Sequence, residues 1–65
     1  MTITDFKKIY DDVRISGKYV YIKSLFDDSI ELYVLKDNHD TLYYVRDFDN
    51  MAECEKYISQ KNKYA

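Results

Sequence analysis

Apolar residues crowd into three runs in the middle of the chain, Lys18–Phe26, Ile30–Lys36 and Thr41–Phe48, each rich in Tyr, Val, Ile, Leu and Phe. Such side chains suit a pleated, half-buried surface, so the pattern predicts three β-strands. Asp27-Asp28-Ser29 and Asp37-Asn38-His39-Asp40 separate them, and these residue types favour turns by hydrogen-bonding their own backbone. On either side the period changes. Ile3, Phe6, Ile9, Tyr10 and Val13 recur at helical spacing, with Lys7, Lys8, Asp11 and Asp12 opposite, which predicts a helix over about 3–13. Thr2 followed by Asp5 reads as a capping box, with Thr4 as an alternative N-cap. Gly17 is the residue best suited to a left-handed stop, and Arg14 and Ile15 either fray from the helix or extend the first strand. Met51, Cys54, Tyr57, Ile58 and Tyr64 trace a second stripe, predicting a helix over about 51–63. Asn50 is placed as its N-cap, Glu53 as a reaching partner, and Lys56, Lys61 and Lys63 lie towards the end that favours cations.

Turn length fixes which side chains meet in an antiparallel pair. A three-residue first loop opposes Phe26 to Ile30, Ser24 to Leu32 and Ile22 to Val34. A four-residue second loop opposes Val34 to Tyr43, Leu32 to Val45 and Glu31 to Arg46. One face then carries Val20, Ile22, Phe26, Ile30, Leu32, Val34, Tyr43 and Val45, and is the expected core. The other carries Tyr19, Tyr21, Lys23, Leu25, Glu31, Tyr33, Leu35, Leu42, Tyr44, Arg46 and Phe48, too apolar for a solvated face. A helix, a second copy of the chain or a partner must cover it. The expected fold class is α+β, an α-β-β-β-α chain with a three-stranded antiparallel meander packed against helices.

Composition narrows the class. Sixty-five residues leave room for one small domain over 1–65, burying roughly 60% of its unfolded surface. A hydrophobic fraction of 46%, with 17% aromatic, argues for a folded chain,. No apolar run approaches the ~20 residues that span a bilayer, and no basic segment followed by an apolar one marks a signal peptide. A single cysteine, Cys54, fits a reducing compartment,, and the expected location is cytoplasmic.

Charge is distributed unevenly. Residues 1–23 sum to +2, residues 24–55 to −7 and residues 56–65 to +3, so a net charge of −2 hides an acidic middle between basic ends,. Asp27 and Asp28 at one rim of the meander, and Asp37 and Asp40 at the other, offer partial mimicry of a nucleic-acid backbone towards a basic groove. Turn chemistry alone also places Asp there.

Little in the chain suggests catalysis. Asp37-Asn38-His39-Asp40 lacks the spacing of a calcium loop or a zinc site. Cys54 lies on an apolar stripe and reads as a buried thiol. There is no Gly-rich phosphate loop, so no enzymatic activity, cofactor or metal is expected. Tyrosines beside Lys23 and Arg46 are compatible with a single-strand platform. The helix–meander–helix order is also that of double-stranded RNA-binding domains, but the basic residues of that family are missing. A pI near 5.2 further opposes the counterion release that drives nucleic-acid binding,.

The element order and the acidic segment Asp27–Asp49 resemble small phage-encoded inhibitors of host defence, anti-CRISPR proteins among them. An excess of Lys over Arg, with scarce Ala and Gly, resembles the composition of low-GC bacteria and their phages. The resemblance implies a small protein-binding module, an inhibitor that blocks a host nuclease or other nucleic-acid-binding protein. The expected contact residues are Tyr19, Tyr21, Lys23, Tyr33, Leu35, Tyr44 and Arg46 on the Tyr-rich face, with Asp27, Asp28, Asp37 and Asp40 at the turns. The alternative is a homodimeric structural or adaptor protein joined through that face, with a nucleic-acid-binding domain as the less favoured third reading.

Overall fold

The computed structural model describes residues 2–36 and 41–63. Helix α1 (Ile3–Ile9) is followed by strands β1 (Arg14–Ser16), β2 (Tyr19–Lys23), β3 (Ile30–Leu35) and β4 (Leu42–Phe48), then by helix α2 (Met51–Lys63). The four strands form one antiparallel sheet in the order β1-β2-β3-β4. The α+β class and the meander between helices are as expected, with a fourth strand added at one edge.

That strand lies in the stretch left open between the predicted first helix and the predicted first strand. Thr2 and Asp5 form the full capping box, Asp5 N–H donating to Thr2 Oγ1 at 3.2 Å. The helix nevertheless stops after Ile9, with Tyr10 already extended at φ −111 and ψ 133. Asp11, Asp12 and Val13 are weak helix formers, and Arg14–Ser16 gains a ladder with Tyr19–Tyr21 instead. Gly17 takes the left-handed conformation, at φ 60, but in a two-residue hairpin rather than at a helix end,. Helix α2 has its predicted bounds, and Asn50 caps it, its Oδ1 accepting from Glu53 N–H at 2.9 Å,.

The largest correction concerns register. Tyr21 lies opposite Leu32 and Lys23 opposite Ile30, because Ser24–Ser29 is a six-residue connection closed by Ser24 N–H donating to Ser29 O at 2.9 Å. The expected three-residue loop drew Leu25 and Phe26 into the strand. An odd shift reverses which side chains of β2 share a face with β3. Tyr19 and Tyr21 therefore join Ile30, Leu32 and Val34 against α2, while Val20 and Ile22 join Tyr33 and Leu35 against α1. Both sheet faces are thus covered by helices of the same chain.

A second correction is one residue long. Tyr33 opposes Tyr44, but Leu32 opposes Arg46, so Val45 is an extra residue in β4. Val34 and Tyr43 are paired as expected; Leu32 with Val45 and Glu31 with Arg46 are not. A bulge changes the side-chain alternation beyond it. Leu42 and Tyr44 therefore face α1, whereas Arg46 and Phe48 turn to α2, where Phe48 packs in one cluster with Cys54 and Ile58. Of the expected core, Val20, Ile22, Ile30 and Leu32 are buried, and Val34 and Val45 are half-buried. Tyr43 and Phe26 are exposed instead.

Candidate functional site

Among the described residues, Phe26 is the most conspicuous surface side chain, 94% exposed beside Leu25 at 62%. The loop that carries them is tied to itself at several points. Ser29 N–H donates to Asp27 Oδ1 at 2.8 Å, Ser29 Oγ–H donates to the same oxygen, and Phe26 N–H donates to Ser24 Oγ at 3.1 Å. With the Ser24–Ser29 backbone bond closing its neck, the loop presents two large apolar side chains in a fixed shape. The Ser29 hydroxyl, and after it the Ser29 N–H, hold the Asp27 carboxyl below the usual carboxylate range,. Lys23 Nζ lies 3.4 Å from Asp28 Oδ1 across the loop base.

Beside this knob is a groove of about 240 Å³ between the end of α1 and the loop. Ile9, Tyr10 and Leu25 give it an apolar lining, and Asp11, Asp12 and Lys23 its polar rim. It exists because α1 is only seven residues long, about 10 Å, and leaves the end of the sheet uncovered. Asp12 reaches Arg14 at 3.6 Å. The two cations here, Lys23 and Arg14, are each engaged by one carboxylate, so Asp11 and Asp27 leave the rim acidic.

The expected contact residues separate into four groups. Tyr19 and Tyr21 are buried beneath α2, and Tyr21 Oη–H donates to Glu55 Oε2 at 2.9 Å. Tyr33 and Leu35 are half-buried beneath α1. Tyr44, Lys23, Arg46, Asp27 and Asp28 are exposed. Asp37 and Asp40 lie outside the described residues, as does His39.

Tyr44 ends an aromatic run under α1. Tyr10 and Phe6 have ring centroids 5.1 Å apart, Phe6 and Tyr33 4.6 Å, and Tyr33 and Tyr44 5.7 Å. Glu31 and Asp47 face each other across β3 and β4, a like-charge opposition that is destabilising by itself. Each carboxylate accepts a tyrosine hydroxyl at 2.8 Å, Glu31 from Tyr33 and Asp47 from Tyr44. Burial, then the bond to Glu31, raises the Tyr33 hydroxyl above the ordinary tyrosine range; the bond to Asp47 leads the rise at Tyr44.

A second cleft, of about 270 Å³, lies between β1 and α2, with Tyr21, Glu55 and Asn62 on its walls. Among the described residues no group of three or more His, Cys, Asp or Glu side chains is placed to hold a metal ion. Cys54 is fully buried, and burial pushes its thiol up to about 11. Among the described residues no helix is long and apolar enough to cross a membrane. No family model, curated protein or solved structure matches the chain.

Sequence reasoning missed Leu25 and Phe26 as surface candidates. The available signal was their place in Ser24-Leu25-Phe26-Asp27-Asp28-Ser29, where two serines and two aspartates bracket the apolar pair. Such residues close a loop through side-chain to backbone bonds.

Proposed function

We propose that this chain is a non-enzymatic protein-binding module of a reducing, cytoplasmic compartment. It acts as a small inhibitor or adaptor that engages a basic protein surface, such as the nucleic-acid-binding groove of a nuclease. The observation that carries the reading is Phe26, almost fully exposed on a loop fixed by its own hydrogen bonds. A large apolar side chain left in water gains about 1.5–3 kcal/mol when buried. A preformed loop loses little conformational freedom on binding, and a buried aromatic anchor with a polar rim is the usual centre of a protein interface. The rim, left acidic by Asp11 and Asp27 while Asp12 and Asp28 are ion-paired, selects a cationic partner and speeds encounter with it. Apolar knob and acidic rim together describe a plug for a polyanion-binding groove, in keeping with the resemblance to phage-encoded defence inhibitors.

The experiment is affinity capture from bacterial lysate on the immobilised chain, in parallel with Phe26→Ser, followed by mass spectrometry and elution with DNA. The expected result is one or a few basic nucleic-acid-binding proteins, absent from the variant column and released by DNA. Equal capture by Phe26→Ser would remove the knob from the interface. A concentration-dependent dimer that Phe26→Ser dissociates, seen by light scattering, would assign the knob to self-association instead.

A further inference from the structure

The bulge at Val45 has a second effect. By turning Arg46 towards the α2 side it sets the guanidinium 4.7 Å over the Phe48 ring and 5.9 Å from that of Tyr57. Lys61, one turn further along α2, holds its ammonium 5.4 Å over the same Tyr57 ring. On β4 Tyr43 shares this sheet face, since it opposes Val34 as Arg46 opposes Leu32, and Lys36 lies 5.6 Å over its ring. The margin of the α2 face therefore reads Lys36, Tyr43, Arg46, Tyr57, Lys61, cations alternating with rings.

Two features separate this ridge from side chains that merely seal a core with their stems. Neither Arg46 nor Lys61 is ion-paired among the described residues. The one hydrogen bond of Arg46 among them is a long one, Nε–H to Asp47 O at 3.5 Å, so both terminal nitrogens of a stacked, planar fork remain open. The nearest carboxylate in sequence, Asp47, points to the opposite sheet face, where it is tied to Tyr44. A guanidinium held flat with an open edge is suited to phosphate, and the exposed Tyr43 ring on the same sheet face is suited to a base.

We infer that the Lys36–Tyr43–Arg46–Tyr57–Lys61 ridge is a binding site for single-stranded nucleic acid, with phosphates on the three cations and a base stacked on the exposed Tyr43, the half-buried Tyr57 serving to hold Arg46 and Lys61 in place. A strand suits the geometry better than a duplex, whose bases are not free to stack, or a phosphopeptide, which would use the cations and leave the rings idle. The net charge of −2 does not cancel the site, because screening confines charge effects to about 10 Å at 0.1 M salt. The ridge belongs to the α2 face and the groove beside the Leu25–Phe26 knob to α1, and the inference does not rest on the function proposed there.

The test is fluorescence anisotropy of a labelled dT20 oligonucleotide with the purified full chain. Three phosphate contacts predict a log–log salt slope of about −2, so binding should weaken roughly 15- to 20-fold between 50 and 200 mM salt. Arg46→Gln and Lys61→Gln should each flatten the slope by about 0.7, and Tyr43→Ser should weaken binding about 5-fold or more. Circular dichroism checks that each variant is folded. The inference is overturned by no binding at 50 mM salt with 0.5 mM protein, or by binding that the Arg46 and Lys61 variants leave unchanged. Equal affinity for polyphosphate or a phosphopeptide, insensitive to Tyr43→Ser, overturns it as well, since a bare anion site needs no stacking.

Discussion

Replacing Phe26 by Ala separates two registers of the same sheet. If β2 ran on to Phe26 through a three-residue turn, the ring would sit opposite Ile30 in the core, and truncating it would cost roughly 3–5 kcal/mol. At 94% exposure the ring has almost nothing to lose, and surface substitutions of that kind stay within about 0.5 kcal/mol. The loop bonds leave that margin intact, because the Phe26 N–H that donates to Ser24 Oγ is backbone and survives the change. Urea unfolding followed by far-ultraviolet circular dichroism decides the matter. With an m-value of about 1 kcal/mol/M for so small a chain, the core reading predicts a midpoint lower by about 3 M or outright unfolding. The exposed reading predicts a shift of about 0.5 M or less. Leu32→Ala, at a fully buried position shared by both readings, is the positive control and should lose about 2–5 kcal/mol. A Phe26→Ala loss above 2 kcal/mol would refute the six-residue loop and, with it, the assignment of Tyr21 to the α2 face.

Three further outcomes follow from the packing. Cys54, buried with its thiol pushed up to about 11, should resist iodoacetamide at pH 8 and label only under unfolding conditions; stoichiometric native labelling within minutes would place it at the surface. Gly17→Ala should cost about 1–2 kcal/mol in thermal or urea unfolding. A new Cβ has room, 3.7 Å from Asn62 Oδ1, so the penalty is that of φ 60 for a residue with a side chain,. Tyr21, Tyr33 and Tyr44 have hydroxyls raised above 10 in the folded chain. Folding therefore favours their neutral forms, a contribution fully present below pH 10 and lost as pH rises above it. Unfolding scans should show stability falling above pH 10, and Tyr33→Phe should make the fall shallower; a flat profile through pH 11 would contradict the hydrogen-bonded hydroxyls.

Much of the fold was legible because local rules and tertiary packing agree. Thr2 with Asp5, and Asn50 with Glu53, state helix starts in their own chemistry, and both caps form. The Leu, Ile, Val and Tyr runs state strands, and three of the four strands lie within them. What failed depended on counting residues across connections. Three residues of loop length decide the parity of β2, and one bulged residue decides the parity of β4 after Val45; periodicity is blind to both. Arg14–Ser16 was ambiguous for a related reason, since a single Gly17 can stop a helix or turn a hairpin, and only the pairing with Tyr19–Tyr21 decides between them.

The site was less legible than the fold because a surface is what remains after the elements are placed. The puzzle of a second apolar face dissolves once α2, about 20 Å long, covers Tyr19 and Tyr21, and the shorter α1 half-covers Tyr33 and Leu35. What stays exposed is set by the two counting features. The long first connection lifts Leu25 and Phe26 out of the sheet, and the bulge puts Arg46 rather than Asp47 on the α2 face. Acidic and cationic surfaces are thereby segregated in a chain of small net charge. The knob has carboxylates around it, whereas the α2 margin has Arg46 and Lys61 without ionic partners among the described residues. A uniform ladder through Val45 would have left Arg46 on the α1 side with Tyr44, near Glu31, where pairing would neutralise it. Deleting Val45 removes the extra residue yet keeps Arg46 opposite Leu32 and Phe48 opposite Ile30, so the cationic ridge and the buried Phe48 should both survive it; a deletion variant whose oligonucleotide binding no longer responds to Arg46→Gln would contradict this register.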